Sequence, residues 1–426
     1  MERIIISQFA GLNEVTLETA PIMVLIGPPA SGKSISAKLL YFFREIGSRL
    51  SAAATDSRNV DEYRAECRKR FCRYFPAESW GDAGFSITYK IKNQHVSITY
   101  TPREGKLGEE LVELSWSEFY ESALARIAER RRGFHKATTE SEPEKLEEAN
   151  RRLREEIGAE IDQTLGNAGR FQQIFIPAGR AFFAVVQASI FRTLESGQDL
   201  DPFLVAFGAF LEESKGLLVD RGFFGSGKKN FKDWGVFRTA MGNILRAEFV
   251  RMRKQDFFRH VDGRQVRLAQ ASSGQQEALP LLLVLARFLS LSHPSGRAVY
   301  IEEPEAHLFP TTQRQIVELM AQAYRARHQQ MSVVVTTHSP YILTALNNLL
   351  QAGQQYGKAS KTAIEKLEKI VPRSRSLNPG EVVAYALSDG KARSIIASDT
   401  KLIDAAMIDE VSTQIAVEFD RLLWDV

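Results

Sequence analysis

The stretch PIMVLIGPPASGKSISAKLLYFF, residues 21–43, decides the fold class of this 426-residue chain. It opens with a short apolar run, continues through the glycine-rich loop GPPASGKS at residues 27–34, and ends in a segment of helix-forming composition. The spacing G-x4-G-K-S between a buried strand and a helix is typical of loops whose backbone N–H groups surround a phosphate. The sequence therefore predicts an α/β protein with a phosphate-binding loop, called here the phosphate loop.

The phosphate loop predicts nucleotide binding, with ATP and Mg²⁺ as the cofactors. Lys33 would reach the β- and γ-phosphates, and the hydroxyl group of Ser34 would be a ligand of Mg²⁺. The residues of the loop predicted to contact the nucleotide are Gly27, Pro28, Pro29, Ala30, Ser31, Gly32, Lys33 and Ser34. The loop alone leaves the class of protein open, because kinases, GTPases, helicases and ATPases all use it.

The composition excludes several broad classes of protein. Hydrophobic residues make up 44% and charged residues 25%, which is average for globular chains and argues against disorder or a disulfide scaffold. The net charge of +3 is too small to indicate nucleic acid as a partner of the whole chain. The longest apolar stretch, residues 278–286, is far shorter than the ~20 residues of a membrane span, and only two cysteines occur. We therefore expect a cytoplasmic protein without a membrane segment.

A second group of motifs lies in the last third of the chain. The run 298–301 is short and continuously apolar, as expected for a parallel strand buried on both faces, and Glu302 and Glu303 follow it at once. A helical pattern over residues 311–327 links this run to the strand SVVVTT, which precedes His338. Because parallel strands present their carboxyl ends at one edge of a sheet, we expect these polar residues beside the phosphate loop.

These segments together resemble the motifs of ABC-type P-loop ATPase heads. The string SGQQ at 273–276 resembles the ABC signature motif, the strand 298–301 followed by two glutamates resembles a Walker B strand, and THS at 337–339 resembles the switch histidine loop. The resemblance implies an α/β fold of the ABC ATPase type. In it, a mixed or parallel sheet is flanked by helices, with a largely helical insertion between the phosphate loop and the signature motif.

The resemblance implies a role for each polar residue that follows these strands. Glu302 would hold Mg²⁺ together with Ser34. ABC heads commonly carry aspartate at the position of Glu302. Glu303 would polarise the attacking water and His338 would contact the γ-phosphate, so these two are the predicted catalytic residues.

The signature segment, defined here as Ser273, Gly274 and Gln275, would contact the ATP that is bound by a second head, since negative charge is favoured at the start of a helix. Gln275 stands where the usual motif has its second glycine. The implied assembly is a homodimer or higher homo-oligomer with ATP sandwiched between the heads.

Two further strings narrow the resemblance. IEEPEAHLFP at 301–310, taken together with the His338 loop TTHSPYIL, resembles the branch that contains the OLD-type (overcoming lysogenisation defect) ATPases, the ATPase subunits of Septu- and PARIS-type antiphage systems, and the SMC and recombination-repair heads. IFIPAGRA at 174–181 resembles a segment found in OLD-like ATPases. OLD nucleases carry a nuclease domain with a D-x-D pair, and the residues after His338 contain no such pair. The resemblance thus implies a sensor or regulator of a separately encoded effector, a nuclease, in bacterial antiphage defence.

Two other functions stay open on the sequence. Basic clusters at 245–267 and 351–376 would suit a DNA-repair ATPase of the SMC or recombination type, although a solvated helical face has the same composition. Alternatively, the chain is an assembly scaffold in which bound ATP is structural and turnover is negligible. Nucleic acid is therefore left open as a partner.

The separation between the phosphate loop and the signature segment predicts inserted regions. The assigned regions are 1–45, 170–182 and 265–426 for the ATPase head, 46–169 for an inserted β-hairpin and helical hairpin region, and 183–264 for a helical insertion that precedes the signature.

Local patterns place further elements in these regions. Residues 85–101 alternate with period two around a polar turn, which predicts a β-hairpin, and 115–166 read as two helices that we expect to pack on the head. A second hairpin is predicted at 382–396, followed by a closing helix. The nearest candidates for a Q-loop glutamine are Gln172 and Gln173.

Overall fold

The computed structural model describes residues 2–53, 59–81, 83–103, 109–137, 143–186, 200–220, 234–252, 255–290, 295–327, 330–404 and 416–424. The strands are β1 Glu2–Phe9, β2 Leu12–Glu18, β3 Ile22–Ile26, β4 Phe85–Ile91, β5 Gln94–Tyr100, β6 Val112–Trp116, β7 Gln172–Ile176, β8 Glu248–Met252, β9 Gln255–Arg259, β10 Gln265–Arg267, β11 Arg297–Glu302, β12 Met331–Thr337, β13 Val382–Ser388 and β14 Lys391–Ser394. The helices are α1 Lys33–Ala53, α2 Val60–Tyr74, α3 Glu118–Ala137, α4 Pro143–Leu165, α5 Phe182–Val186, α6 Pro202–Asp220, α7 Trp234–Leu245, α8 Ser273–Ser290, α9 Pro310–Ala326, α10 Pro340–Tyr356 and α11 Lys361–Ile370.

The fold is a mixed α/β architecture around one large sheet, as the sequence predicts. Its eleven strands lie in the order β6-β5-β4-β1-β2-β14-β13-β3-β12-β11-β7, and β8, β9 and β10 form a separate sheet of three strands. Strands β13, β3, β12, β11 and β7 are parallel neighbours, whereas β1, β2, β4, β5 and β6 pair in antiparallel fashion. The sheet therefore has a parallel half and an antiparallel half.

Alternate residues of the parallel strands face two different hydrophobic cores. In β3, Ile22, Val24 and Ile26 belong to the core that holds the buried faces of α8, α9 and α10. Met23 and Leu25 point the other way, into the core that contains the apolar faces of α1, α2 and α4. Because side chains alternate across a strand, the sheet needs apolar residues at every position where both faces are covered.

Several predicted elements are confirmed. The hairpin predicted at 85–101 is β4 and β5, the helix pair is α3 and α4, and the tail hairpin is β13 and β14. Strand β4 pairs with β1, so the hairpin extends the large sheet. On α4, Leu153, Ile157 and Ile161 are buried in the core that also contains α1, as expected for a helical pair packed on the head. Residues 138–142, between the two helices, lie outside the described residues.

The region 183–264, predicted to be a helical insertion, also contains two strands, β8 and β9. In these strands Phe249 and Phe258 are buried in the core around α8, and the residues beside them are partly exposed or exposed. Basic residues between Phe249 and Phe258 obscure the alternation of buried and exposed positions in the sequence, and the composition of the segment is also typical of a basic helical face. The three-stranded sheet corrects the predicted helical character of this region.

The tail and the glutamine candidates differ from their predictions. Residues 416–424 are helical, but Phe419 and Leu422 are exposed, and the first half of the predicted closing helix lies outside the described residues. Gln172 pairs with Arg297 at the amino ends of β7 and β11, four positions before the carboxyl end of β7 and five before that of β11. Gln172 is thus about 13–16 Å and Gln173 about 10–13 Å along the strands from the edge where the motifs meet, and neither lies at that edge. Within the described residues, no helix is both long and apolar enough to cross a membrane.

Candidate nucleotide site

The carboxyl ends of three adjacent parallel strands bring the predicted motifs together. Ile26, the last residue of β3, pairs with Thr337 of β12, and Thr336 pairs with Glu302 of β11. The phosphate loop, His338 and Glu303 each follow directly after these strands. This edge of the sheet is the candidate nucleotide site, in the position where open α/β sheets bind their ligands.

Two glycines of the phosphate loop are required by close contacts. A Cβ atom at Gly27 would lie 2.1 Å from the carbonyl oxygen of Leu387 in β13. Gly32 has φ +89°, and a Cβ atom there would lie 2.3 Å from Cδ2 of the buried Leu12. The loop therefore packs tightly against β13 and β2, and only glycine fits at both positions. Between these glycines, Pro28, Pro29 and Ala30 are exposed and Ser31 is half-buried.

Lys33 is buried at the start of α1 and points into its own loop. Its Nζ donates hydrogen bonds to the carbonyl oxygens of Gly27 at 2.9 Å and Pro28 at 2.7 Å. Burial lowers the pKa of the Lys33 ammonium below its usual value, while the nearby charges of Glu303 and Glu305 act in the opposite direction. The cation is thus held where phosphate oxygens could replace the loop carbonyls as its partners.

The two glutamates at the end of β11, Glu302 in the strand and Glu303 directly after it, have different surroundings. Glu302 is buried, and its Oε2 accepts a hydrogen bond from the backbone N–H of Ala178 at 3.2 Å. Glu303 has φ +43°, and its Oε1 lies 3.4 Å from Nε2 of His338. The structure therefore brings the two predicted catalytic side chains, Glu303 and His338, into contact beside the phosphate loop.

The donor set suits a magnesium ion that is bound together with a nucleotide. Among the described residues, no group of three or more His, Cys, Asp or Glu side chains could hold a metal ion by itself. Mg²⁺ in nucleotide sites usually takes one or two protein ligands, phosphate oxygens and several waters. The exposed Ser34 in the first turn of α1 and the carboxylate of Glu302 at the same sheet edge fit such a site.

Glu305 is a site residue that the sequence analysis missed. Its Oε1 accepts hydrogen bonds from Thr337 Oγ1 at 2.6 Å and from the backbone N–H of His338 at 2.7 Å. Its Oε2 is buried without a hydrogen-bond partner in the described part of the chain. Glu305 therefore fixes the start of the loop that carries His338. The string EEPE offered a third carboxylate after the strand, but its partner lies 33 positions away in the sequence.

The signature segment begins α8 and is built as a helix cap. Ser272 and Gln275 form a capping box, in which Gln275 Oε1 accepts from the Ser272 N–H at 3.2 Å and Ser272 Oγ accepts from the Gln275 N–H at 3.4 Å. Gln275 Nε2 also donates to the carbonyl oxygen of Leu245 at 2.8 Å. The side chain of Gln275 is thus engaged within its own chain, and Ser273 is the exposed polar group of the segment.

Comparisons with known proteins found similar solved structures at low sequence identity and one matching family model. No curated protein matches the chain. Similar solved structures include an SMC head domain from Thermotoga maritima, with 10% identity over 92% of this chain and 97% of that chain and a TM-score of 0.36. They also include the Smc head domain with an extended coiled coil bound to the C-terminal domain of ScpA, derived from Pyrococcus furiosus, with 11% identity, coverage of 99% and 100%, and a TM-score of 0.40. The recombination mediator protein RecF-ATPrS in the RecFOR pathway shows 10% identity, coverage of 92% and 97%, and a TM-score of 0.34.

A family model for the AAA ATPase domain matches residues 88–343. The match contains Glu302, Glu303 and His338 and begins after the phosphate loop, so the loop supports the assignment independently. Since it spans more than half of the sequence, the chain belongs to the AAA ATPase domain family.

Proposed function

We propose that this chain is a cytoplasmic ATPase switch that hydrolyses ATP between two head-to-head copies and regulates a separately encoded effector. The single observation that carries the ATPase part is the contact of Glu303 with His338 beside the buried Lys33, all at the carboxyl edge of the parallel strands.

Each residue of the site has a task in this proposal. Backbone N–H groups of the phosphate loop and the Lys33 ammonium bind the β- and γ-phosphates. On binding, Lys33 Nζ exchanges the loop carbonyl oxygens for phosphate oxygens. Ser34 and Glu302 would hold Mg²⁺, which supplies charge neutralisation on the phosphates when bound. Glu303 accepts a hydrogen bond from the attacking water, and His338 orients that carboxylate and contacts the γ-phosphate.

Head-to-head pairing is supported by the exposed start of α8. Ser273 is exposed at a helix N-terminus, where the helix dipole favours an anion. A Cβ atom at Gly274 would lie 3.0 Å from the carbonyl oxygen of His307, in the loop that follows Glu303 of its own chain, so the start of α8 packs closely on that loop. The exposed serine is therefore available to the γ-phosphate held by a second copy.

The finer part of the proposal concerns the partner. The strings at 174–181 and 301–310 support regulation of an effector, a nuclease, in antiphage defence by resemblance alone. Several arginines of the basic cluster at 245–267 form ion pairs within the chain, among them Arg251 with Asp256 and Arg259 with Glu248. Nucleic acid would have to compete with these pairs, which is why DNA repair is the second candidate.

The test combines ATP binding, phosphate release and mass determination by light scattering. We expect the wild type to bind ATP·Mg²⁺ and release phosphate slowly, and Glu303→Gln with ATP to accumulate as a dimer or larger assembly. Glu113→Gln, on the exposed face of β6, is the matched control and should behave like the wild type.

Each part of the proposal can fail separately. Absence of ATP binding removes the ATPase, and a monomer in every state removes the role given to Ser273. The scaffold alternative predicts that Glu303→Gln retains full function. Salt-sensitive, ATP-dependent DNA binding favours the repair alternative, and failure to bind any protein encoded by neighbouring genes removes the effector.

A further inference from the structure

A fully buried arginine lies where three backbone segments of the nucleotide site meet. Arg180 Nη1 donates to the carbonyl oxygens of Pro177 at 3.1 Å and Glu302 at 2.7 Å, and its Nη2 donates to that of Glu303 at 2.9 Å. Its Nε donates to the carbonyl oxygen of Glu277 at 3.0 Å. The Arg180 side chain thus forms hydrogen bonds with both the carboxyl end of β11 and the first turns of α8.

The carboxylate of Glu277 completes the connection from the side of α8. Its Oε2 accepts from the backbone N–H of Arg180 at 3.0 Å, and its Oε1 accepts from that of Ala181 at 3.0 Å. The same Oε2 lies 3.3 Å from Arg180 Nε, and both side chains are buried. Glu277 lies one helical turn after Ser273, so the pair reaches the exposed tip of the signature segment through a single turn of helix.

Stability alone is a weak reason for such a pair. Replacing a buried ion pair by apolar residues is often neutral or favourable, because desolvation offsets the attraction. What distinguishes this pair is its partners, since the Arg180 side chain donates to the backbone carbonyl oxygens of Glu302, the last residue of β11, and of Glu303. Glu303 has φ +43°, a conformation that a non-glycine residue keeps only where the surroundings impose it. Because Arg180 bonds the carbonyl oxygen of Glu303, a change in the backbone conformation of Glu303 alters the position of the Arg180 guanidinium.

We propose that Arg180 and Glu277 are positioning residues that couple the nucleotide site of a chain to its own signature segment. ATP at the phosphate loop shifts the backbone after β11, the guanidinium follows, and Glu277 carries the shift to Ser273. In a head-to-head dimer this makes each ATP adjust the group that contacts the other ATP. The inference rests on the ATP binding proposed above and adds the direction in which the signal passes.

The test follows two segments of one chain by hydrogen exchange and mass spectrometry, with and without ATP·Mg²⁺. The protein is diluted until light scattering gives the monomer, so that protection by a second copy does not contribute. The variants are Arg180→Lys, which keeps the charge but loses the forked contacts, and the milder Glu277→Gln. Arg287→Lys is the matched control. Arg287 is a buried arginine of α8, the helix that also carries Glu277, but it donates to Phe210 and Ser214 and not to the residues at the end of β11.

In the wild type and in Arg287→Lys, ATP is expected to slow exchange both at residues 27–36 and at 273–280. In Arg180→Lys and Glu277→Gln, the response at 27–36 stays and the response at 273–280 falls by at least half. Melting curves confirm that each variant is folded.

Three results overturn the inference. The first is that ATP slows exchange at 273–280 equally in all variants, or does not slow it there in the wild type although it slows exchange at 27–36. The second is loss of the loop response in both pair variants, which makes the pair part of the binding site itself. The third is no loop response in the wild type, which removes ATP binding and the coupling with it.

Discussion

In the parallel half of the large sheet, β3, β11 and β12 are buried at every position, whereas in the antiparallel half β4 and β5 alternate buried with partly exposed or exposed residues. The parallel strands all end at one edge, and the polar residues that follow them form the candidate nucleotide site. The antiparallel half has its own polar group with little exposure, Glu2, whose side chain is 11% exposed and bonds Arg44 of α1 and Tyr89 of β4.

These two sets of polar residues differ in what they contact. Glu303 is partly exposed, and its Oε1 lies 3.4 Å from Nε2 of His338. Glu2 accepts hydrogen bonds from Arg44, Tyr89 and Thr19, and Arg44 also bonds Ser332 at the amino end of β12. We infer that the partly exposed carboxylate of Glu303 takes part in the reaction, whereas the carboxylate of Glu2, enclosed by its hydrogen-bond partners, stabilises the fold. The same substitution in each half separates the two roles.

The largest effect is expected from Glu303→Gln in the parallel half. Removing the negative charge should lower the rate of ATP hydrolysis by about 100-fold or more, because a positioned general base contributes on that scale. ATP affinity should stay within about 3-fold and the urea midpoint should not move, since the side chain packs against little. Phosphate release and ATP titration measure the first two, and a fall in affinity equal to the fall in rate would assign Glu303 to binding.

In the antiparallel half, Glu2→Gln should do the reverse. It leaves the buried Arg44 without its counter-charge, which typically costs about 3–5 kcal/mol of unfolding free energy. The remaining folded protein should bind ATP with unchanged affinity, because the pair lies away from the carboxyl edge. Urea unfolding together with ATP titration checks both statements, and unchanged stability would show that the pair is not needed by the fold.

A smaller contrast compares two glycines with similar backbone angles. Gly32 of the phosphate loop has φ +89° and Gly11 of the β1–β2 turn has φ +82°, but only Gly32 has a neighbour where a Cβ atom would be. Both alanine variants should pay the roughly 1–2 kcal/mol of a left-handed residue. Only Gly32→Ala should also weaken ATP binding, by about 10-fold, because the contact with Leu12 displaces the loop. Equal ATP affinities in the two variants would contradict this account.

The parts of the site that sequence alone predicts are those with a local cause. The phosphate loop and the glutamates of β11 follow continuous apolar runs, so their place at a common edge follows from strand geometry. Arg180 and Glu277 carry no such signal, because their roles depend on contacts between residues 97 positions apart. The small sheet at 248–259 was missed for a related reason, since Phe249 and Phe258 are buried by helices that the local pattern does not reveal.

The smallest effect concerns the pH dependence of stability and extends the contrast between Glu2 and Glu303. Burial raises the pKa of Glu2, but the charge and hydrogen bonds of Arg44 outweigh it, so the pKa in the folded protein is lowered from the usual value of 4.5. A carboxyl group with a lowered folded pKa stabilises the fold above its unfolded pKa and loses that contribution as the pH falls through the folded pKa. The wild type should therefore begin to lose its advantage over Glu2→Gln when the pH falls below the ordinary pKa of a glutamate, and should lose it fully only below the lowered pKa of Glu2.

Urea midpoints of the wild type, Glu2→Gln and Glu113→Gln between pH 7 and pH 3 measure this difference. Glu2→Gln should approach the wild type as the pH falls, because protonated Glu2 and glutamine are both neutral beside Arg44. The exposed Glu113 has no such partner among the described contacts, so its variant should stay parallel to the wild type throughout. If the gap between the wild type and Glu2→Gln is instead constant over the whole range, the stability difference comes from packing, and charge pairing is not what holds β1 to α1.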